Sequence, residues 1–326
     1  MSSPPNHTID LQVISCLGVE LETAFLTHFL AHYTALGVPA ANIHLILNAG
    51  RADAPELDAA EAVLAAHGAA RPHRWIAPYT SDTMWAERRA LQMRVARPED
   101  WVLNADADEH HAYPDAPAAI ARYCERKGYN AVQGVMIDRL AADGTLAPVA
   151  AKPALAAQFP VAAEVAIALF GRRRGAGLDG TVKLMMHRGD VLPSRGGHNP
   201  WGDGAVPRFL AGARLATFPG IEDPATRLRF PFRVDHYNWT AGRQASLERR
   251  LATPGVSTAG RAFGGQVLDY LARHGRIRPG DVALGPARPT AAGWRRRMLG
   301  MRLAARLRHR FPRLRPRTTG SPSARP

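Results

Sequence analysis

The chain has 326 residues, of which 46% are hydrophobic and 21% are charged, and its formal net charge is +14. This length and composition predict a globular protein with a sizeable core, in one large domain or two smaller ones. No apolar run reaches the roughly 18 residues that a membrane-spanning helix needs, so we expect no transmembrane helix.

Cysteine usage and the N-terminal sequence indicate a reducing compartment. Cys16 falls in a predicted strand and Cys124 in a predicted helix, a pattern that excludes a disulfide framework. The opening MSSPPNHTIDLQ has neither the basic start nor the apolar stretch of a signal peptide. The expected location is therefore the cytoplasm.

The positive charge is concentrated at the C-terminus. From Trp294 onward the chain has eleven arginines and no acidic residue. The remaining basic residues are nearly balanced by the 28 acidic ones, and no nucleic-acid-binding motif occurs in the chain. We therefore expect no nucleic-acid partner for the body of the protein.

Strand-like and helix-like segments alternate in the first part of the chain. Strands are predicted at 11–17, 43–48, 73–77, 101–105 and 130–137, and helices at 20–37, 56–67, 81–95 and 115–127. Residues 139–180 are predicted to be irregular, 180–204 to be a strand followed by a glycine-rich loop, and 240–251 to be a helix. This order predicts an α/β fold with a mainly parallel central sheet flanked by helices.

Acidic residues follow directly on the strand at 101–105. The segment WVLNADADEHH places Asp106, Asp108 and Glu109 at its carboxyl end, where open sheets of this kind bind ligands. On an extended backbone Asp106 and Asp108 point the same way, and their carboxylates repel unless a cation lies between them. Such oxygen ligands suit Mg²⁺ or Mn²⁺ held together with substrate phosphates. The pattern predicts a metal–diphosphate site, and the alternative is an acidic surface turn.

Four segments resemble GT-A-fold glycosyltransferases of the family 2 and family 92 type. They are the opening VISCLGVELETAFLTHFLAHYTALGV, the strand IHLILN, the Asp-x-Asp-Glu string of WVLNADADEHH, and VDHYNW before a helix. The chain departs from the family pattern after the first strand, at Gly18 to Glu20, and after the second, at 48–53. The resemblance covers about residues 10–252. It implies a GT-A-like domain, placed at 1–285, ahead of a basic tail at 286–326 that is partly helical or disordered.

The resemblance also implies an activity. It is metal-dependent, inverting transfer of a sugar from a nucleotide-sugar donor to an acceptor hydroxyl of a glycan or a lipid-linked molecule, in cell-surface polysaccharide or glycan synthesis. The metal would be Mn²⁺ or Mg²⁺, because a divalent cation stabilises the departing diphosphate.

Several residues receive candidate roles in this chemistry. Asp108 is the expected direct metal ligand, with Asp106 on the metal or the ribose, and the resemblance adds His236 as a metal or phosphate ligand. Contacts to the donor are expected from Asp106, Arg88, Lys183 and His198. The alternatives without a functional role are a buried, hydrogen-bonded imidazole for His236, a solvated helix face for Arg88 and a simple turn for the glycines beside His198.

An inverting mechanism also needs a general base that takes the proton of the acceptor hydroxyl. The candidates are Asp138, Asp203 and Asp235. Sequence does not rank them, because each is equally compatible with a surface or helix-capping role.

The C-terminal tail has two interpretations. Its arginines and interspersed apolar residues suit an anionic membrane surface, which would place the protein peripherally on the inner face of the cell membrane. Two apolar sets, Trp294/Met298/Met301 and Leu299/Leu303/Leu307, fall on nearly opposite sides of a helical wheel, which predicts weak amphipathicity. A disordered basic tail is the alternative.

Three other functions compete with glycosyl transfer. A sugar nucleotidyltransferase would need a glycine-rich phosphate loop after the first strand, and CLGVELE is a poor one. A non-catalytic nucleic-acid-binding protein would act through the arginine tail. A metal-dependent hydrolase would need a second metal-ligand cluster, which the sequence does not show beyond His236.

Overall fold

The computed structural model describes residues 8–170, 176–253, 256 and 258–310. The last part of the predicted basic tail, 311–326, lies outside these residues. Among the described helices, none is long and apolar enough to cross a membrane.

The first half of the chain alternates strands and helices much as its sequence predicts. The elements are β1 (Leu11–Gly18), α1 (Val19–Ala35), β2 (Ile43–Ala49), α2 (Pro55–Ala66), β3 (His73–Ile76), α3 (Ser81–Val95), β4 (Trp101–Asn104), β5 (Glu109–Ala112), α4 (Pro117–Lys127) and β6 (Ala131–Leu140). β5 is an addition, since the sequence pattern places the segment after β4 in a loop.

The second half contains more regular structure than its sequence predicts. Its elements are α5 (Leu155–Gln158), β7 (Val161–Glu164), α6 (Val165–Phe170), α7 (Ala176–Asp179), β8 (Val182–Arg188), α8 (Pro224–Leu228), β9 (Arg233–His236), α9 (Arg243–Ala252), α10 (Thr258–His274), β10 (Ala283–Gly285) and α11 (Trp294–Arg310). The prediction of an irregular 139–180 is wrong, because β7 and three short helices form there.

The ten strands of the described residues belong to one sheet. Its continuous order is β10-β7-β6-β8-β4-β1-β2-β3, and β9 joins β5 to β6. Strands β4, β1, β2 and β3 are parallel, as are β6 and β9. β8 lies antiparallel between β4 and β6, and β7 and β10 continue antiparallel beyond β6. The predicted α/β class, a central sheet flanked by helices, is confirmed.

Both faces of β1 are buried, because helices cover it from opposite sides. Val13 and Leu17 of β1 pack in the cluster that contains Phe29 of α1. The alternate residues Ile14 and Cys16 pack in a separate cluster with α3. Successive side chains of a strand point to opposite faces, so the continuous burial of β1 from Leu11 to Leu17 is what a doubly covered strand shows.

Candidate functional site

The chain turns between β4 and β5 instead of continuing as an extended strand. The amide of Glu109 donates to the carbonyl of Asp106 at 3.0 Å, and Ala107 and Asp108 form the turn. The expectation that Asp106 and Asp108 point the same way on an extended backbone is therefore wrong. Their carboxylates contact different groups, and the two acids belong to different parts of the site.

Asp106 lies in a buried group of two acids and two cations, which we call the braced cluster: Asp106, Glu109, Arg88 and Lys183. The Nζ of Lys183 donates to Asp106 Oδ2 and to Glu109 Oε1, each at 2.9 Å. Arg88 Nη1 donates to the other oxygen of Asp106. The side chains of Arg88 and Lys183 are each 1% exposed. Two cations withdrawn from water thus face Glu109, whose side chain is 2% exposed, and Asp106, whose side chain is 36% exposed.

These contacts set the protonation of the braced cluster. Burial alone would raise the pKa of Asp106, but the charges of Lys183 and Arg88 outweigh it and hold that pKa well below its usual range. Burial raises the pKa of Glu109, and the charge of Asp106 adds to the rise. Burial alone would lower the pKa of Lys183, but the negative charges of Asp106 and Glu109 outweigh it and raise that pKa. Asp106 and Lys183 are therefore charged at neutral pH.

Arg88 ties this cluster to the middle of β1 and to the end of β4. Its Nη2 donates to the carbonyl of Ile14 at 2.7 Å, to Asn104 Oδ1 at 2.7 Å and to the carbonyl of Ala105 at 2.9 Å. The guanidinium also lies 4.4 Å from the ring centroid of Trp85. With these partners Arg88 orients Asp106, and its predicted contact with a donor stays a prediction.

A glycine-rich loop after β8 closes over the braced cluster. Gly197 has a positive φ of 65°, and a Cβ there would come within 2.5 Å of the Trp85 ring and 2.6 Å of Asn104 Nδ2. The neighbouring His198 donates from Nδ1 to the carbonyl of Val182 at 2.6 Å. Burial lowers the pKa of His198 to about 4, and the charge of Lys183 contributes. The imidazole is therefore neutral at neutral pH.

Asp108 belongs to a second group, which we call the His236 triad: Asp108, His236 and Asp138. His236 Nε2 lies 3.4 Å from Asp108 Oδ2, and Nδ1 lies 3.5 Å from Asp138 Oδ1. Burial alone would lower the pKa of His236, but the two carboxylates outweigh it and raise the pKa to about 10. An imidazolium shared by two acids therefore lies beside the braced cluster.

Strand pairing explains why the triad forms. β9 pairs with β5 so that His236 lies opposite Glu109, and with β6 so that His236 lies beside Asp138. His236 is the last residue of β9 and Asp138 lies two residues before the end of the parallel strand β6, so their side chains meet near the sheet edge where β4 also ends. The predicted positions Asp106, Asp108, Asp138, Lys183, His198 and His236 are brought to this edge.

The other two candidate bases have different surroundings. Asp235, next to His236 on β9, pairs with Arg233 at 2.8 Å and lies 3.9 Å from Arg139. Burial raises the pKa of Asp235, against the charge of Arg233. The exposed Asp203 accepts from the indole of Trp201 at 2.8 Å. Of the three candidates, Asp138 is the one that the described contacts join to Asp108 through His236.

Two functional candidates were missed by sequence reasoning. Glu22, in the first turn of α1, accepts from the amide of Gly18 at 2.8 Å. Burial raises its pKa to about 8, and the charge of Asp108 adds to this rise. The sequence feature that indicates Glu22 is its position in the first helical turn after β1, at the carboxyl edge of the sheet.

Arg243, at the start of α9, is the second missed candidate. Its guanidinium lies 5.3 Å from the ring centroid of Trp239. Among the described residues its buried Nε has no hydrogen-bond partner. Burial lowers the pKa of Arg243, while the charges of Asp108 and Asp138 oppose that change. The positive charge of Arg243 is therefore close enough to the His236 triad to interact electrostatically with Asp108 and Asp138.

The described residues contain no group of three or more His, Cys, Asp or Glu side chains arranged to hold a metal ion. Both oxygens of Asp106 face cations, and a protonated His236 has no lone pair for a metal. Asp108, with a side chain 20% exposed, is the acid of the predicted set that best suits a cation completed by ligand phosphates. The metal roles of Asp106, Asp108 and His236 stay predictions.

Two cavities lie away from the His236 triad. One of about 440 Å³ is lined by residues such as Glu99, Asn130 and Arg188, at the amino ends of β4 and β6. Another of about 270 Å³ lies within the loop at 199–209. Asp106 and Asp108 instead face solvent at the sheet edge, with side chains 36% and 20% exposed.

Comparison with known proteins gives little sequence similarity. No protein-family model matches the chain, and no curated protein matches it. Among solved structures, S. aureus TarS aligns with 10% identity and a TM-score of 0.31, over 84% of this chain and 45% of the TarS chain. The chain thus spans less than half of that protein.

Two structures of S. aureus TarS 1-349 also align, each with 11% identity. One has a TM-score of 0.32 and covers 91% of this chain and 81% of that one. The other, in complex with UDP, has a TM-score of 0.33 and covers 82% and 72%. Likeness at this level carries no argument, so function has to follow from the geometry of this chain's own residues.

Proposed function

We propose that this chain is a GT-A-like glycosyltransferase that moves a sugar from a nucleotide-sugar donor to a hydroxyl of a glycan or lipid-linked acceptor. The observation that carries the proposal is the His236 triad at the carboxyl edge of the sheet, beside an Asp106 fixed by Arg88 and Lys183. The Asp-x-Asp-Glu string, whose family resemblance first indicated this activity, supplies members of both groups.

The departing diphosphate is the part of the reaction that most needs positive charge. Asp108, together with donor phosphates, would hold Mn²⁺ or Mg²⁺, which acts as a Lewis acid on the leaving group. Arg243 is a second candidate for contact with the diphosphate, because its buried Nε lacks a hydrogen-bond partner among the described residues. We assign Arg243 to a diphosphate oxygen, which would satisfy that N–H.

Asp138 is the proposed general base. Its Oδ1 lies 3.5 Å from His236 Nδ1, which fixes the carboxylate at the sheet edge. The base must accept a proton from the acceptor hydroxyl as the new glycosidic bond forms on the face opposite the leaving diphosphate. Asp138 is preferred over Asp235 because the latter pairs with Arg233 at 2.8 Å.

The rival nucleotidyltransferase is less consistent with the structure. That chemistry requires a glycine-rich loop to cradle phosphates after the first strand. Here β1 ends at Gly18 and α1 begins directly at Val19, which leaves no such loop.

The proposal is tested by a thermal-shift panel of nucleotide sugars, with and without Mn²⁺. The true donor is expected to raise the melting temperature, because a ligand at about 100 times its Kd stabilises the folded state by about 2.7 kcal/mol. A nucleotide sugar that alone raises the melting temperature is then used as the donor in a transfer assay. If no nucleotide sugar shifts the protein at saturating concentration, the proposal fails.

Asp108→Asn tests the site in the transfer assay. We expect turnover to fall by about a hundredfold or more, because a charge that acts on the leaving group is lost. The unfolding free energy should also fall, because Asp108 is an ion-pair partner of His236, so turnover is measured well below the melting temperature of the variant. Asp269→Asn, an exposed acid on α10, is the matched control and should leave turnover unchanged. Normal turnover in Asp108→Asn would contradict the assignment.

A further inference from the structure

The last helix, α11, presents two different apolar faces. Trp294 and Met298 are buried in the main core, whereas Leu299, Leu303 and Leu307 are 50%, 50% and 56% exposed. The leucines recur every four residues and so form one row along the helix. The two apolar sets on opposite sides of the helical wheel therefore have separate roles, since one packs on the body and the other faces outward.

The buried side fixes how the helix is oriented. The Trp294 ring lies 5.2 Å from that of Tyr123 and 5.6 Å from that of Phe232. Arg302, 8% exposed, donates from Nη1 to the carbonyl of Leu210 at 2.9 Å. Because these contacts hold one side of the helix, the leucine row cannot turn inward without losing them.

The outward side combines this row with positive charge. Arg296 and Arg306 are exposed, and by helical spacing they lie within about 60° of the leucine row. No acidic residue occurs from Trp294 to the end of the chain, which adds four further arginines after Arg310. An apolar row bordered by arginines matches a surface that is both apolar and negatively charged.

We propose that the outward face of α11 docks on an anionic lipid surface. Leu299, Leu303 and Leu307 enter the headgroup region, and the flanking arginines contact anionic headgroups. This proposal rests on α11 alone and holds whether or not the chain transfers sugars. Nucleic acid is the less favoured partner, because phosphate binding by arginines gives no reason for an exposed leucine row.

The test is co-sedimentation of the full chain with vesicles of phosphatidylcholine, with or without phosphatidylglycerol. Binding is expected to be at least about tenfold stronger with phosphatidylglycerol and to weaken as salt is added. The triple variant Leu299→Gln, Leu303→Gln, Leu307→Gln keeps helix-compatible residues and should lose binding by about tenfold or more. Arg296→Gln with Arg306→Gln, which leaves every apolar contact in place, should weaken binding and reduce its salt dependence.

The matched control removes apolar surface elsewhere. Met93, Val206 and Leu284 are 64%, 81% and 51% exposed, and their joint replacement by Gln should leave vesicle binding unchanged. Equal binding by the leucine variant and the parent would overturn the proposal. So would retention of a single-stranded oligonucleotide without vesicle binding, or self-association that the leucine variant abolishes without vesicle binding.

Discussion

The braced cluster and the His236 triad place two aspartates of one turn in opposite environments. Asp106 faces Arg88 and Lys183, cations whose side chains are each 1% exposed. Asp108 faces an imidazole 3.4 Å away, which is shared with Asp138. The difference teaches that the two acids of an Asp-x-Asp string need not act together. Asp106 is held in place by Arg88 and Lys183, whereas Asp108 faces His236, an imidazole that can release its proton.

The largest expected effect comes from removing a cation of the braced cluster. Lys183→Met keeps the length of the side chain but leaves the buried Glu109 without its cation, while the partly exposed Asp106 keeps Arg88. We expect the unfolding free energy to drop by about 3–5 kcal/mol, because an unpaired buried charge is strongly unfavourable. Urea denaturation measures the change.

Lys127→Met, at an exposed position on α4, is the control for Lys183 and should change stability by less than about 0.5 kcal/mol. A Lys183 variant as stable as the control would show that the braced cluster is not held together by charge.

The pH dependence of stability separates the triad from the braced cluster. The pKa of His236 is raised to about 10 in the folded state, against about 6.5 for an unperturbed histidine. Its stabilisation is therefore fully present below pH 6.5 and is lost as pH rises toward 10, by at most about 1.4 kcal/mol per pH unit. Chemical denaturation in the presence of a chelator, across this range, measures the slope.

His236→Gln should flatten that slope, and the comparison is made between pH 8 and 10, above the pKa of Glu22 of about 8. His67→Gln, which removes an exposed histidine on the C-terminal side of α2, serves as the control. An identical slope in His236→Gln would mean that the triad is not an ion-paired group.

A smaller effect is expected where the glycine-rich loop covers the braced cluster. Gly197→Ala combines a positive φ of 65° with a Cβ 2.5 Å from the Trp85 ring. Gly37→Ala has a positive φ of 89° but nothing within 4 Å of the new Cβ. Both should lose about 1–2 kcal/mol from backbone strain. Gly197→Ala should lose about 1–3 kcal/mol more from crowding. Equal losses in urea denaturation would show that the loop does not pack tightly on the cluster.

Sequence patterns predicted the first half of the fold because its strands are apolar and its helices are clearly bounded. They missed β5, whose residues Glu109 to Ala112 are mostly polar. That segment becomes a strand by pairing with β9, a partner far along the chain. They also missed α10, which contains Gly260, Gly264 and Gly265, residues that lower helix propensity.

The candidate site was predicted in its location but not in its internal contacts. Asp106, Asp108 and His236 were singled out from their positions, whereas the turn that separates the two aspartates depends on a hydrogen bond between Asp106 and Glu109. Sequence left Asp138 and Asp235 unranked, because the choice depends on which face of a strand each occupies. Only strand register supplies that information, by setting Asp138 beside His236.

The position of β9 has a consequence for how the protein matures. This strand inserts next to β5 and β6, although many residues separate it from both along the chain. During synthesis, Asp108 and Asp138 leave the ribosome long before His236 exists to neutralise their mutual repulsion. The His236 triad is therefore incomplete until the late segments return to the growing sheet, and such long-range closure is a slow step in folding.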